Sequence, residues 1–169
     1  MRSSSILASL ALLLPAPAAA AEMLYAGPSW AAFDHQGRCE AVARSLRTAA
    51  KGKPQARASF AFEPAVRRHG EFAVRLSRPA RQGASVMLTV GSQPFLLAGR
   101  GEWAWSRGPA QEAAIIAAAR AAGGMRVEAR DVAGRRIVDR YLLAGAATAI
   151  DAAAAACANA ALAKRRANP

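Results

Sequence analysis

Hydrophobic and polar positions alternate with a period of two through the middle of this chain. Ala56, Ala58, Phe60 and Phe62 are interleaved with Arg57, Ser59 and Glu63. Phe72, Val74 and Leu76 are interleaved with Glu71, Arg75 and Ser77. Successive strand side chains point to opposite faces, so each run predicts a strand with one apolar and one polar face. Val86–Val90 is apolar on both faces, as a central strand is. Trp30 and Phe33 flank a first strand ahead of an Asp34-His35-Gln36-Gly37 turn. Gly91-Ser92-Gln93-Pro94 and Gly99-Arg100-Gly101 read as further turns around a short strand, Phe95–Ala98. Trp103 and Trp105 share one face of the next strand. Arg38–Lys53 carries mixed signals: its alanines and arginines suit a helix, which Gly52 and Pro54 stop.

The period changes after Pro109, a favoured first helical position. A helix is predicted through Ile115, Ile116 and Arg120, ending at Gly123-Gly124. Met125–Asp131 and Arg135–Leu143 form a hairpin around Val132-Ala133-Gly134. A last helix opens at Thr148, with Asp151 at capping-box spacing. Its Ile150, Ala154, Cys157 and Ala161 make one stripe that faces the core. Lys164-Arg165-Arg166 follow at its end, where cations suit the helix dipole. The expected fold class is α+β and β-rich. It is an antiparallel β-sandwich or curled sheet, with one helix before the last hairpin and a C-terminal helix. One domain is expected over residues 22–163, with a short basic tail at 164–169.

Residues 1–21 depart from this pattern. Arg2 precedes an apolar run from Ile6 to Leu14, then Pro15 and Pro17, then Ala19-Ala20-Ala21 before Glu22. This is the layout of an export signal cut before Glu22. The run is shorter than the roughly 20 residues a bilayer span needs, and no cysteine stands at the cut to take a lipid. No later segment reads as transmembrane.

Export changes the meaning of the cysteines and of the charge. Cys39 and Cys157 are the only two cysteines. An even pair in an oxidising compartment is usually bridged, although free thiols or pairing between chains remain open at this level. The full chain of 169 residues carries 23 Lys and Arg against 11 Asp and Glu, a net charge of +12. Eleven of the basic residues fall between Arg38 and Arg81, against Glu40, Glu63 and Glu71. Such a surface attracts lipopolysaccharide, acidic glycans or anionic lipid. Nucleic acid is the least favoured partner of an exported chain. An even spread of charge over the folded surface would make it incidental; clustering would make it a site.

Catalytic constellations are thin. No zinc-helix, C-x-x-C, nucleophile-elbow or P-loop pattern is present, and no cofactor or metal is expected. His35 and His69 have no metal-spaced partners and read as surface residues. Asp139 shares strand parity with Ile137, Tyr141 and Leu143, so it faces inward and needs a partner. Arg120 is the first candidate for a structural ion pair and Arg126 the second; a perturbed acid in a cleft is the functional alternative. Trp103 and Trp105 are ordinarily a core pair. With Arg100 and Arg107 they could instead form an aromatic platform for a sugar or an acidic polymer.

The second half of the chain carries an ordered set of motifs. It runs Arg120-Ala-Ala-Gly-Gly-Met125-Arg-Val, a turn at Gly134, Asp139-Arg140-Tyr141-Leu142-Leu143-Ala144-Gly145, Ala149-Ile150 and Cys157. Upstream stand Gly70-Glu71-Phe72 and Ser77-Arg78-Pro79, the pair of strands in Val86–Phe95, and Cys39 after an aromatic strand. This set resembles the invasion-associated locus B family of alphaproteobacteria, well over residues 69–157 and loosely over 30–68. Leu142 stands where that family often has Ser. The resemblance implies an exported protein, periplasmic first and secreted or outer-membrane-associated next, with a bond tying the closing helix to the start of the sheet. It links relatives to host-cell invasion and supplies no mechanism. The functional expectation is a non-enzymatic envelope protein that binds an envelope or host protein or an anionic glycan or lipid. The alternatives are a purely structural or stress-related periplasmic protein, and an exported hydrolase using Asp139.

Overall fold

The computed structural model describes residues 20–167, so the export signal expected at 1–21 lies almost wholly outside the described residues. Ten antiparallel strands form one sheet. They are β1 (Glu22–Ala26), β2 (Ala31–Asp34), β3 (Cys39–Arg44), β4 (Arg57–Glu63), β5 (Arg68–Arg75), β6 (Val86–Val90), β7 (Gln93–Arg100), β8 (Trp103–Trp105), β9 (Gly124–Arg130) and β10 (Arg136–Leu142). Two helices, α1 (Pro109–Ala121) and α2 (Ala146–Ala167), complete the α+β, β-rich fold. The strand order is β1-β2-β3-β4-β5-β8-β7-β6-β9-β10.

The sheet curls. Trp30 Nε1 donates to Leu142 O at 2.8 Å, and Leu46 N donates to Arg140 O at 2.8 Å. Both bonds bring the β10 edge back to the β2–β3 region, which blunts an otherwise open edge. The concave face is apolar and carries the core. Phe60 and Phe72 are direct cross-strand partners, with rings 5.2 Å apart edge to face, and Trp30 packs on Phe60 at 5.6 Å. Such pairs add to burial through ring geometry. Helix α1 covers β5 and the β6–β7 pair, and α2 covers β1–β4. At Gly70 a Cβ would meet Ile116 Cδ1 at 2.6 Å and the backbone stands at φ 119°, so only glycine lets α1 seat there.

Several local expectations give way to tertiary context. Cys39–Arg44 is strand, not helix. Its inward residues are Cys39, Ala41 and Ala43, and α2 meets them with Ala146, Ala149, Ala153 and Cys157. Small side chains on both surfaces let helix and sheet approach closely, and that contact outweighs the helix propensity of alanine and arginine. Strand β1 was not legible in the pattern. Strand β7 begins at Gln93, so the turn shortens to Gly91-Ser92. Pro94 is tolerated because β8 pairs only with Ala98–Arg100, leaving β7 an edge at that point. Helix α2 starts at Ala146, behind Gly145 at φ 85°, rather than at Thr148. It runs on through Lys164–Arg166, so those residues belong to the helix and not to a separate tail.

Candidate anion-binding face

The convex face of the sheet takes the polar half of each alternating strand. Register places Arg44 opposite Arg57, Arg57 opposite Arg75, Arg75 opposite Trp103, and Trp103 opposite Arg100. Five consecutive neighbours in one row, on β3, β4, β5, β8 and β7, are thus four arginines and a tryptophan. Like charges directly opposite one another destabilise a sheet, so this row exists despite sheet energetics. Local contacts offset the repulsion. Glu102 accepts from Arg75 Nη2 at 2.7 Å and Nε at 3.2 Å. Arg57 lies 3.9 Å from Glu40 and stacks over Trp103 at 5.7 Å. Arg44 and Arg100 form no ion pair among the described residues.

The row belongs to a larger basic end. Segments 44–57, 75–85, 100–103 and 130–136 all lie at the same ends of their strands. Together they hold twelve of the 23 arginines and lysines and only two acids, Glu102 and Asp131. The segments touch. Ala80 bridges to Asp131, Ala80 N donates to Gly101 O, and Arg81 N donates to Arg130 O. Both acids are already spent. Asp131 is buried and accepts from Ala133 N, Arg135 N and Arg135 Nε, with Arg78 Nη1 at 3.0 Å. Burial pushes its pKa up, but the backbone and guanidinium donors of Arg135 outweigh that and hold it below the ordinary carboxylate range. The charge is clustered, not evenly spread.

Trp103 and Trp105 are not core residues. They stand on the convex face, 37% and 36% exposed, and the inward residue of β8 is Ala104. On the concave side Ala104 stands opposite Val74 and Gly99, and Val86 Cγ2 crowds Gly99, which leaves room only for a small side chain. Trp105 pairs with Ala73 on one side and Ala98 on the other. Arg107 is held beside them, its Nη2 donating to Leu97 O at 3.3 Å. Arg100, Trp103, Trp105 and Arg107 therefore gather on the β7–β8 hairpin and the loop after it.

A cleft of about 720 Å³ adjoins the row over β1–β4. Phe33, Val42 and Leu46 line it together with His35, Glu40 and Arg57. His35 is not an isolated surface residue: its Nε2 lies 3.1 Å from Glu40 Oε1. His69 is exposed on β5.

Asp139 is fully buried, as its parity requires, but neither expected arginine reaches it. Arg120 pairs with Asp151 of α2 on the surface, and Arg126 pairs with Glu128. Asp139 Oδ2 instead accepts from Ser77 N at 2.9 Å, while Asp139 Oδ1 and Tyr141 OH have no partner among the described residues. Burial and then the nearby Asp139 charge raise the Tyr141 pKa. Asp139 thus ties β10 to the β5–β6 loop.

Cys39 and Cys157 form a buried disulfide with Cα atoms 5.8 Å apart. An Asp34 carboxylate oxygen lies within 4.8 Å of both sulphurs, but the sulphurs are committed to each other and Asp34 Oδ1 accepts from Gly37 N.

Comparison with family profiles, with curated proteins and with solved structures finds no match. Arg44, Arg57 and Arg75 were missed as site residues. Each lies on the polar side of its strand or at its end, but only register brings them beside Trp103.

Proposed function

We propose that this protein is a non-enzymatic, exported binding domain that holds an anionic envelope component at its basic end. The observation that carries the reading is segregation of charge: twelve cations against two acids, both already paired, at one end of a curled sheet. A surface of one sign raises the local concentration of an oppositely charged partner and speeds its capture. The signal-like residues 1–21 and the resemblance to the invasion-associated locus B family support export. The disulfide between Cys39 and Cys157 suits an oxidising compartment. The groups with chemical potential are otherwise engaged: both thiols are bonded, Asp139 is sealed, and His35 is paired with Glu40.

Binding to inorganic polyphosphate, titrated at several salt concentrations, tests this. Affinity is expected to fall steeply as the Debye length drops below about 10 Å near 0.1 M salt. Arg44→Ala combined with Arg100→Ala should weaken binding and flatten the salt dependence. Absence of binding at low salt would refute the reading.

A further inference from the structure

The tryptophans make the β7–β8 part of the basic end chemically different from the rest. Along one row the order is Arg57, Arg75, Trp103, Arg100; in the next row it is Ser59, Ala73, Trp105, Ala98. Two indoles thus sit two residues apart on one face, with guanidinium groups on both sides of the first and methyl-sized neighbours on both sides of the second. Strands stand about 4.8 Å apart, so Arg75 and Arg100 are separated by about 10 Å with the Trp103 ring between them.

Each component has a matching ligand feature. An indole face is an amphipathic, rigid surface on which the C–H-bearing face of a sugar ring stacks. A guanidinium presents a planar fork that pairs with a carboxylate. Arg75 is already oriented by Glu102 through Nε and Nη2, so Nη1 needs no reorganisation to meet a ligand. A simple polyphosphate would use the arginines and leave both rings idle. A bilayer favours apolar tips that project beyond the basic groups. Trp103 and Trp105 are instead only about one-third exposed on a short strand inside the sheet.

We propose that Trp103 and Trp105, with Arg75 and Arg100, form a subsite for an acidic polysaccharide carrying sugar carboxylates. One ring of the polymer stacks on the Trp105 indole, Arg57 already lying over Trp103 at 5.7 Å, while carboxylates of neighbouring rings meet the two arginines. This deepens the reading of the basic end and rests on it. The other cations of that end add non-directional attraction along the chain of the polymer.

The test compares oligogalacturonate with inorganic polyphosphate of equal charge and with vesicles containing anionic phospholipid. In the native protein, saturating oligogalacturonate should shield tryptophan fluorescence from the neutral quencher acrylamide, and polyphosphate should shield it far less. Trp103→Ala with Trp105→Ala should weaken oligogalacturonate at least tenfold and change polyphosphate less than twofold. Arg75→Ala with Arg100→Ala should weaken both. The acrylamide measurement uses the unaltered chain, so it decides even if the tryptophan variant folds poorly. Equal acrylamide shielding by both polyanions, or equal loss of both in the tryptophan variant, would overturn the subsite and leave the basic end standing as a charge site. Vesicle binding without oligogalacturonate binding would overturn it in favour of a lipid surface. Failure to bind either polyanion would remove the proposed function as well.

Discussion

The two faces of β4 and β5 divide their work by residue parity. On the concave side Ala58, Phe60, Phe72 and Val74 are fully buried and pair across the strands. On the convex side, one residue away along the same backbone, Arg57 stands opposite Arg75. The first arrangement lowers the energy of the sheet; the second raises it unless an anion is near. Folding and ligand capture thus share strands but not side chains, and substitutions should separate them.

The largest effects belong to the concave side and its covering helix. Cys39→Ser or Cys157→Ser opens a loop spanning 118 positions and should cost about 4–5 kcal/mol. Thermal melting with and without reductant measures it, and a loss below about 1 kcal/mol would make the bond ornamental. Phe60→Ala should cost about 3–5 kcal/mol through lost burial and a residual cavity. Its denaturation midpoint should fall while polyanion affinity at full folding stays unchanged. At Asp139 the sign depends on what is removed. Asp139→Ala orphans the Ser77 amide and should destabilise by about 1–3 kcal/mol. Tyr141→Phe deletes a buried hydroxyl without a partner and should raise the melting temperature. A fall in the Tyr141→Phe variant would mean the hydroxyl is engaged after all.

The convex side should answer differently. Arg57→Ala with Arg75→Ala removes half-buried side chains that contact Glu40, Glu102 and Trp103, so it is expected to cost about 1 kcal/mol, well short of Phe60→Ala, and to weaken polyanion binding. If that pair unfolds the protein as Phe60→Ala does, the division between faces is wrong. The smallest effect concerns Asp131. Its folded pKa lies below the unfolded value of about 3.9, so its contribution is complete above about pH 4. It is lost as pH falls through the folded pKa. The stability gap between the native chain and Asp131→Asn should therefore be constant above about pH 4 and shrink below it. A gap that widens in acid would reverse the assignment.

The period-two runs of β4 and β5 were legible because both faces of those strands are of one character each. The inward turn of Asp139 and the Pro109 helix start were legible for similar local reasons. Strand β3 was not, because its small inward residues answer to α2, more than a hundred positions away. The outward turn of Trp103 and Trp105 was hidden for a related reason: alternation tells which residues share a face, and packing decides which face is covered. The arginine row was hidden more deeply. Arg44, Arg57, Arg75 and Arg100 come from four strands, and only their register makes them neighbours. Arg120 pairs with Asp151 rather than Asp139 because Asp151 projects from the adjoining helix, a contact that strand parity does not reveal.

The seating of α2 over β1–β4 has a temporal side. Strands β1–β4 are covered by a helix that is made long after them. A chain emerging N-terminus first, from a ribosome or a translocation channel, exposes Cys39 long before Cys157 arrives. Until then Ala41, Ala43 and Phe62 have no lid, and one thiol waits without its mate. Completion of the native state must follow release of the chain through Cys157, and long-range closure of this kind slows folding. A chain cut short before residue 146 would carry an uncovered sheet and an unpaired thiol, the two marks by which quality control recognises an unfinished protein.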